Sequence, residues 1–161
     1  MKNLNSLLSM GYFYATKAGQ VLTLDQVIEE KWNQWVDVGF SCPNAQFSQC
    51  TFFSPSQTEQ YFATPLADAQ NAVIINNPQL LGFLINNSMF ESIKQPSDFD
   101  QFATAWNQTA SPFFSQTDDE HYILLRMDDM RRGIIMVKQF VNKGDESYIL
   151  TDIKMEKRTN E

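Results

Sequence analysis

The feature that most constrains the fold of this chain is the stretch 120–157, where three apolar runs alternate with two polar turns. The runs are HYILLRM, IIMVKQFV and SYILTDIKM, and the turns are DDMRRG and NKGDE. β-Branched and aromatic runs of this length, separated by short polar loops that contain Gly, are typical of antiparallel strands. We therefore predict a three-stranded meander that serves as the platform for the rest of the chain.

Side-chain alternation assigns the faces of this sheet. Ile123 and Leu125 fall on one face of the first run, whereas Leu124 and Arg126 fall on the other. The second run is apolar on both faces over most of its length, which predicts a central strand. Residues 12–16 and 47–53 are candidates for additional strands.

The sequence before the meander predicts mainly short helices. The letters TLDQ at 23–26 match a capping box and open a predicted amphipathic helix over 24–38, with Trp32 on the buried side and Asp37 on the polar side. Gly39 follows as a candidate C-terminal cap. Capping residues and prolines predict further short helices within residues 54–62, 64–77, 78–87 and 97–107.

Together these elements predict a single α+β domain over residues 1–161. Its helical, acidic part covers about 1–118, and its β-meander covers about 120–157. The net charge is −7, from 12 Lys and Arg against 19 Asp and Glu. Clustered cations are needed to displace counterions from phosphates, so this balance argues against nucleic-acid binding. No run of eighteen apolar residues occurs, which argues against a transmembrane helix and predicts a soluble protein with no membrane partner.

His121 is the only histidine, so a Ser-His or Cys-His pair would have to use it. The acidic residues just before it predict a raised pKa and a charged imidazolium at a surface or strand edge, where it would be a poor base. No nucleophile signature accompanies it, and the acidic pairs match no metal-binding spacing. We therefore predict no catalytic residue, no metal and no cofactor.

Arg126, Lys138 and Asp152 are candidates for a ligand-binding set, because strand alternation can align them across one face of the sheet. Two basic groups and a carboxylate would suit an anionic ligand, as in sheet-based ribonucleases. The alternative is an ion-pair ladder on a solvated face.

Asp128, Asp129, Arg131 and Arg132 form a charged loop between the first two strands of the meander. Adjacent Arg side chains at an exposed loop can make bidentate contacts with carboxylates, so this loop is a candidate for partner binding. The alternative is a solvated loop without a partner.

Cys42 and Cys50 are the only cysteines. Free thiols in a cytoplasmic protein are the favoured interpretation, and a disulfide loop is expected instead if the chain is exported, for example to a periplasm.

The function that these patterns favour is non-catalytic protein binding, as in an inhibitor or immunity protein that neutralises a basic toxin or nuclease. The alternative is a small enzyme or ligand-binding domain, ribonuclease-like or with a cone-shaped pocket, that uses the polar sheet face. The sequence does not decide the oligomeric state.

Overall fold

The computed structural model describes residues 2–5, 12–43, 47–107, 112–117, 119–143 and 147–158. Its framework is two antiparallel sheets. The larger has five strands in the order β1-β9-β8-β7-β6: β1 Lys2–Asn5, β9 Tyr148–Met155, β8 Arg132–Val141, β7 His121–Met127 and β6 Ala72–Ile75.

The predicted meander is the centre of this sheet. β7 pairs with β8 and β8 with β9, both antiparallel, and a bulge at Lys138 interrupts the β8–β9 register between Val137 and Gln139. β8 is central, as its apolar faces predict. Part of the predicted turn over 142–146 lies outside the described residues.

The smaller sheet comes from the part of the chain that was predicted to be mainly helical. Its order is β3-β2-β4-β5, formed by Gln20–Thr23, Tyr12–Ala15, Val38–Ser41 and Thr51–Phe53. Both candidate segments for additional strands thus contribute a strand, but to a separate sheet.

Helices are short and lie between the strands. The α-helices are α1 Leu24–Glu29, α2 Thr58–Phe62 and α3 Asn87–Ser92, and the 3₁₀ helices are Pro55–Gln57, Pro78–Leu81, Pro96–Phe102 and Ala105–Asn107. The mixed α+β class is therefore confirmed. The predicted arrangement, with N-terminal helices packed on one C-terminal meander, is wrong.

The predicted helix 24–38 begins correctly but is much too long. Thr23 and Gln26 form the capping box, and α1 then ends at Glu29, with Lys31 in the left-handed region at φ 59°. Gly39 is not a cap, because it lies inside β4 opposite Phe53. A Cβ atom at Gly39 would lie 2.3 Å from the Phe53 ring, so glycine permits this close strand packing.

The predicted helix over 64–77 is also wrong, because residues 64–71 contain no helix and β6 follows them. The β-branched run from Val73 to Ile75 belongs to β6, which pairs with β7 and places Ala72 opposite Met127. Edge pairing with β7 outweighs the helical spacing of these apolar residues.

Three apolar clusters hold these layers together. The first joins the two sheets, since Phe40 and Val38 of β4 pack with Ile123 and Ile135 of the meander. The second covers the opposite face of the meander with α3 and the 3₁₀ helices, and the third packs β2 and β3 against α1 and α2. Both faces of the meander are therefore buried.

Candidate functional site

The predicted ligand-binding set is only partly assembled. Lys138 and Asp152 form an ion pair with a 3.3 Å Nζ–Oδ2 distance. Across the three strands, Asp152 lies opposite Met136, and Met136 lies opposite Tyr122. Arg126 lies four residues further along β7 than Tyr122. Four residues of strand span about 13 Å. Arg126 instead packs 5.9 Å from the Trp106 ring, so these three residues do not form one compact site.

Arg131 occupies a buried position that the sequence did not predict. Its side chain is 6% exposed, and its Nη2 donates to Asp37 Oδ1 at 2.8 Å and to Gln70 Oε1 at 3.2 Å. Its Nε donates to Asp129 Oδ2 at 2.8 Å. Burial alone would lower the pKa of Arg131, but the hydrogen bonds to Asp37 and Asp129 outweigh this effect and raise the pKa. The expectation that this Arg is exposed for a partner is therefore wrong.

Asp37 is the partner that makes this burial possible. It is fully buried, and its Oδ2 accepts from the backbone N–H of Thr16 at 2.8 Å. Its Oδ1 also accepts from Gln70 Nε2 at 3.1 Å and lies 3.5 Å from Nη2 of Arg158. One carboxylate thus links the smaller sheet to the loop between β7 and β8. The sequence analysis missed it, because a helical wheel assigned Asp37 to a polar face.

Two other cations of the meander fasten helices to it. Arg132 donates to Asp100 Oδ1 at 2.7 Å, to the Pro96 carbonyl at 2.8 Å and to Glu156. Lys154 Nζ donates to the carbonyls of Phe90 and Ile93 at the end of α3, where a cation complements the helix dipole. Arg132 is therefore largely engaged within the chain, and a partner role in this loop stays a prediction for the exposed Asp128 and Asp129.

His121 is buried, contrary to its predicted surface position. Its ring stacks on Phe114 with centroids 4.7 Å apart, and Nε2 lies 2.5 Å from the Asn76 carbonyl. Burial lowers the pKa of His121, while the Asn76 contact opposes that shift. The predicted rise in pKa from the acidic neighbours is therefore wrong, because desolvation dominates.

Cys42 and Cys50 are joined by a disulfide, and both are buried. The bridge lies beside the isolated pairing of Cys50 with Phe114, which brings the 112–117 segment against β5. The alternative of free thiols is not what the structure shows.

A first candidate surface combines exposed leucines with carboxylates. Leu80 and Leu84 are 67% and 76% exposed on the segment that follows β6. That segment and the start of β7 enclose a depression of about 370 Å³, with Asp119 and Glu120 on its other side. Among the described residues that line it, none is Lys or Arg. Leu84 is one of its lining residues, whereas Leu80 lies four positions earlier on the same segment and outside that lining. We call Leu80, Leu84, Asp119 and Glu120 the leucine–acid surface.

Tyr122 is one of the residues that line this depression. Its hydroxyl is buried and has no hydrogen-bond partner among the described residues. Burial, reinforced by the charges of Glu120 and Glu91, raises the pKa of Tyr122 to about 12. The hydroxyl therefore stays protonated and is a donor for any acceptor that reaches it.

A second candidate surface is a larger groove of about 810 Å³. Its walls come from the segment after α3, the loop around Arg131 and the end of β9. We call it the Arg131 groove. Its volume lies within the range of small-molecule sites.

The described residues contain no group of three or more His, Cys, Asp or Glu side chains arranged to hold a metal ion. Within the described part of the chain, no helix is long and apolar enough to cross a membrane. Comparison of this chain with protein-family models, with curated proteins and with solved structures finds no match.

Proposed function

We propose that this protein is a non-catalytic binding module whose partner is a basic protein, as an inhibitor or immunity protein would be. The observation that carries the proposal is the leucine–acid surface. Leu84, which is 76% exposed, and the exposed carboxylates Asp119 and Glu120 line one depression whose described lining residues include no Lys or Arg, and Leu80, which is 67% exposed, lies on the same segment as Leu84. Exposed apolar groups rimmed by charge are typical of protein interaction sites.

The chemistry of this surface specifies the partner. Leu80 and Leu84 offer apolar area that gains free energy when it is removed from water, up to about 2 kcal/mol for a fully buried leucine. Asp119 and Glu120 attract Lys or Arg and disfavour an acidic partner. A segment that presents basic and apolar side chains together satisfies both requirements, and the net charge of −7 steers it at long range.

The test uses a synthetic amphipathic peptide of Lys and Leu and measures binding by calorimetry at low and high salt. We expect binding that weakens as salt screens the charges. Leu80→Ser with Leu84→Ser should weaken it at least about tenfold, which corresponds to about 1.4 kcal/mol. Asp119→Asn with Glu120→Gln should remove most of the salt dependence.

Matched controls separate this surface from general acidity. Ile28 is 43% exposed and lies on α1 beside Glu29, so Ile28→Ser removes an exposed apolar side chain next to a carboxylate elsewhere. We expect Ile28→Ser to leave the affinity for the peptide of Lys and Leu unchanged. A peptide with Glu in place of Lys should not bind. Equal binding of both peptides, or no binding of the Lys peptide at low salt, would contradict the proposed function.

The Cys42–Cys50 bridge supports a location for this protein. Disulfides persist in oxidising compartments and are rare in the cytoplasm. We therefore propose that the chain acts outside the cytoplasm, and a periplasm or an extracellular space meets this condition. Thiol labelling of the protein as isolated from its native cells tests this, because free cysteines in that sample would indicate a reducing compartment.

A further inference from the structure

The Arg131 groove is a second candidate site, and its charge differs from that of the protein as a whole. Its described lining residues include four cations, Lys94, Arg131, Lys154 and Lys157, and two carboxylates, Asp129 and Glu156. The formal balance is 4 − 2 = +2, in a chain whose net charge is −7. A local excess of cations in an acidic protein focuses anions on this groove.

Both carboxylates of the groove are neutralised from within the protein. Asp129 accepts from the guanidinium of Arg131, and Glu156 accepts from Arg132. Hydrogen bonds from Arg131 lower the pKa of Asp129 against the opposing effect of its burial, so its charge persists as part of that pair. The carboxylates therefore do little to repel an incoming anion.

The cations of the groove fall into two groups. Lys154 is occupied by the carbonyls at the end of α3 and holds the groove wall in place. Lys94 and Lys157 are exposed, and their ammonium groups are available to a ligand at modest cost. Arg131 is buried, but its Nη1 has no hydrogen-bond partner among the described residues.

This orphaned nitrogen is the second observation that indicates an anion. A buried donor without an acceptor destabilises the fold, and a charged donor does so more strongly. An acceptor drawn in against Arg131 would offset part of that destabilisation. Because Asp37 and Asp129 already hold the other nitrogens, the guanidinium is fixed in orientation before any ligand binds.

Apart from Gln95, the remaining lining residues of the groove are apolar. Phe99, Ile153 and Met155 line it, and Met130 lies at its side with 64% of its surface exposed. A simple inorganic anion would leave this surface in water, whereas an apolar tail would cover it.

We propose that the Arg131 groove binds a small amphiphilic anion, a carboxylate or phosphate group on an apolar tail. The head group lies with Arg131, Lys94 and Lys157, and the tail lies along Phe99, Ile153 and Met155. This site is separate from the leucine–acid surface and does not depend on a protein partner.

Methionine methyl NMR of the whole protein provides the test, with sodium decanoate, decyl phosphate and decyltrimethylammonium as probes below their micelle concentrations. Met130 and Met155 line the groove, whereas Met89, Met127 and Met136 do not. Saturable shifts of Met130 and Met155 alone are expected from the two anions and not from the cation. The relative affinities of decanoate and decyl phosphate identify the preferred head group.

Charge-reversal variants complete the experiment. Lys94→Glu with Lys157→Glu should weaken decanoate or decyl phosphate binding at least tenfold. Lys31→Glu with Lys143→Glu changes the net charge by the same amount at exposed sites outside the groove lining. This control variant should bind decanoate or decyl phosphate with unchanged affinity. Unshifted signals from Met89, Met127 and Met136 verify the fold. Equal binding of decyltrimethylammonium, equal loss in both double variants, or the absence of any Met130 and Met155 shift would overturn the proposal.

Discussion

Removal of the buried carboxylate Asp37 tests the most consequential contact in this fold. In Asp37→Ala, Arg131 keeps Asp129 and Gln70 but loses its 2.8 Å contact with Asp37. The backbone N–H of Thr16 and the side chain of Gln70 also lose an acceptor. The variant therefore leaves a buried cation partly compensated and the Thr16 N–H without this acceptor, whereas Gln70 Nε2 keeps the Val36 carbonyl at 2.9 Å.

The expected loss of stability is large. Removing one member of a buried ion pair costs about 3–5 kcal/mol, because the remaining charge stays out of water. Asp129 offsets part of this cost, while the loss of the acceptor for the Thr16 N–H and the loss of the Arg158 contact with Asp37 add to it. We therefore expect about 4 kcal/mol, a substantial part of the 5–15 kcal/mol that typical domains possess.

Urea unfolding under non-reducing conditions measures this loss, with the disulfide intact in every variant. Asp100→Ala is the matched control: it removes a carboxylate that also pairs with an Arg at 2.7 Å, but its side chain is 70% exposed. Exposed pairs contribute less than about 1 kcal/mol. The double variant Asp37→Ala with Arg131→Met should recover part of the loss, because the uncompensated cation is gone. If Asp37→Ala and Asp100→Ala differ by less than about 1 kcal/mol, the proposed role of the pair is wrong.

Three further perturbations follow from the structure. Because burial lowers the pKa of His121 below 6.5, the unfolded chain binds its proton more readily. The contribution of His121 to stability should be complete above pH 6.5 and should fall as the pH drops below that value. The urea midpoints of wild type and His121→Gln should therefore lie closer together at pH 5 than at pH 7. Reduction of Cys42–Cys50 reopens a loop with a sequence separation of 8 and should cost about 2.5 kcal/mol, read as a lower Tm with dithiothreitol, whereas a Cys42→Ser, Cys50→Ser variant should be insensitive to the reductant. Gly39→Ala should cost about 1–3 kcal/mol through its clash with Phe53, whereas Ser41→Ala on the same strand should have little effect on the same unfolding curve.

The meander could be predicted from sequence because its signal is local. Alternation across β7 assigns Ile123 and Leu125 to one face and Leu124 to the other, and the core clusters divide them in the same way. The capping box at Thr23 is equally local, since both of its hydrogen bonds lie within four consecutive residues. Such features need no knowledge of the rest of the chain.

Two strands of the smaller sheet lie in segments predicted as candidate strands, but their assembly into a separate sheet and the burial of the charges could not be predicted, because distant residues determine them. Arg131 is buried only because Asp37, separated from it by 94 positions, lies within 2.8 Å. His121 follows three acidic residues in sequence, yet its environment is set by Asn76 and Phe114. The local sequence predicted a raised pKa for His121, whereas its burial, which the sequence does not reveal, lowers that pKa.

The internal pairing of several cations supports the proposal of an acidic partner surface. Arg131 pairs with Asp37 and Asp129, Arg132 pairs with Glu156 and Asp100, and Lys138 pairs with Asp152. Each such cation neutralises a carboxylate inside the chain, and so the charges that remain for a partner are biased toward Asp and Glu.

This internal pairing makes the distribution of the remaining cations informative. The described residues that line the depression with Asp119 and Glu120 include no Lys or Arg. In contrast, Lys94 and Lys157 both line the Arg131 groove. The two proposals therefore expect a basic protein segment at the first surface and an anion at the second. Salt should weaken binding at both surfaces, but only the first should discriminate in favour of Lys and Arg, because the sign of the local charge differs while the screening is common to both.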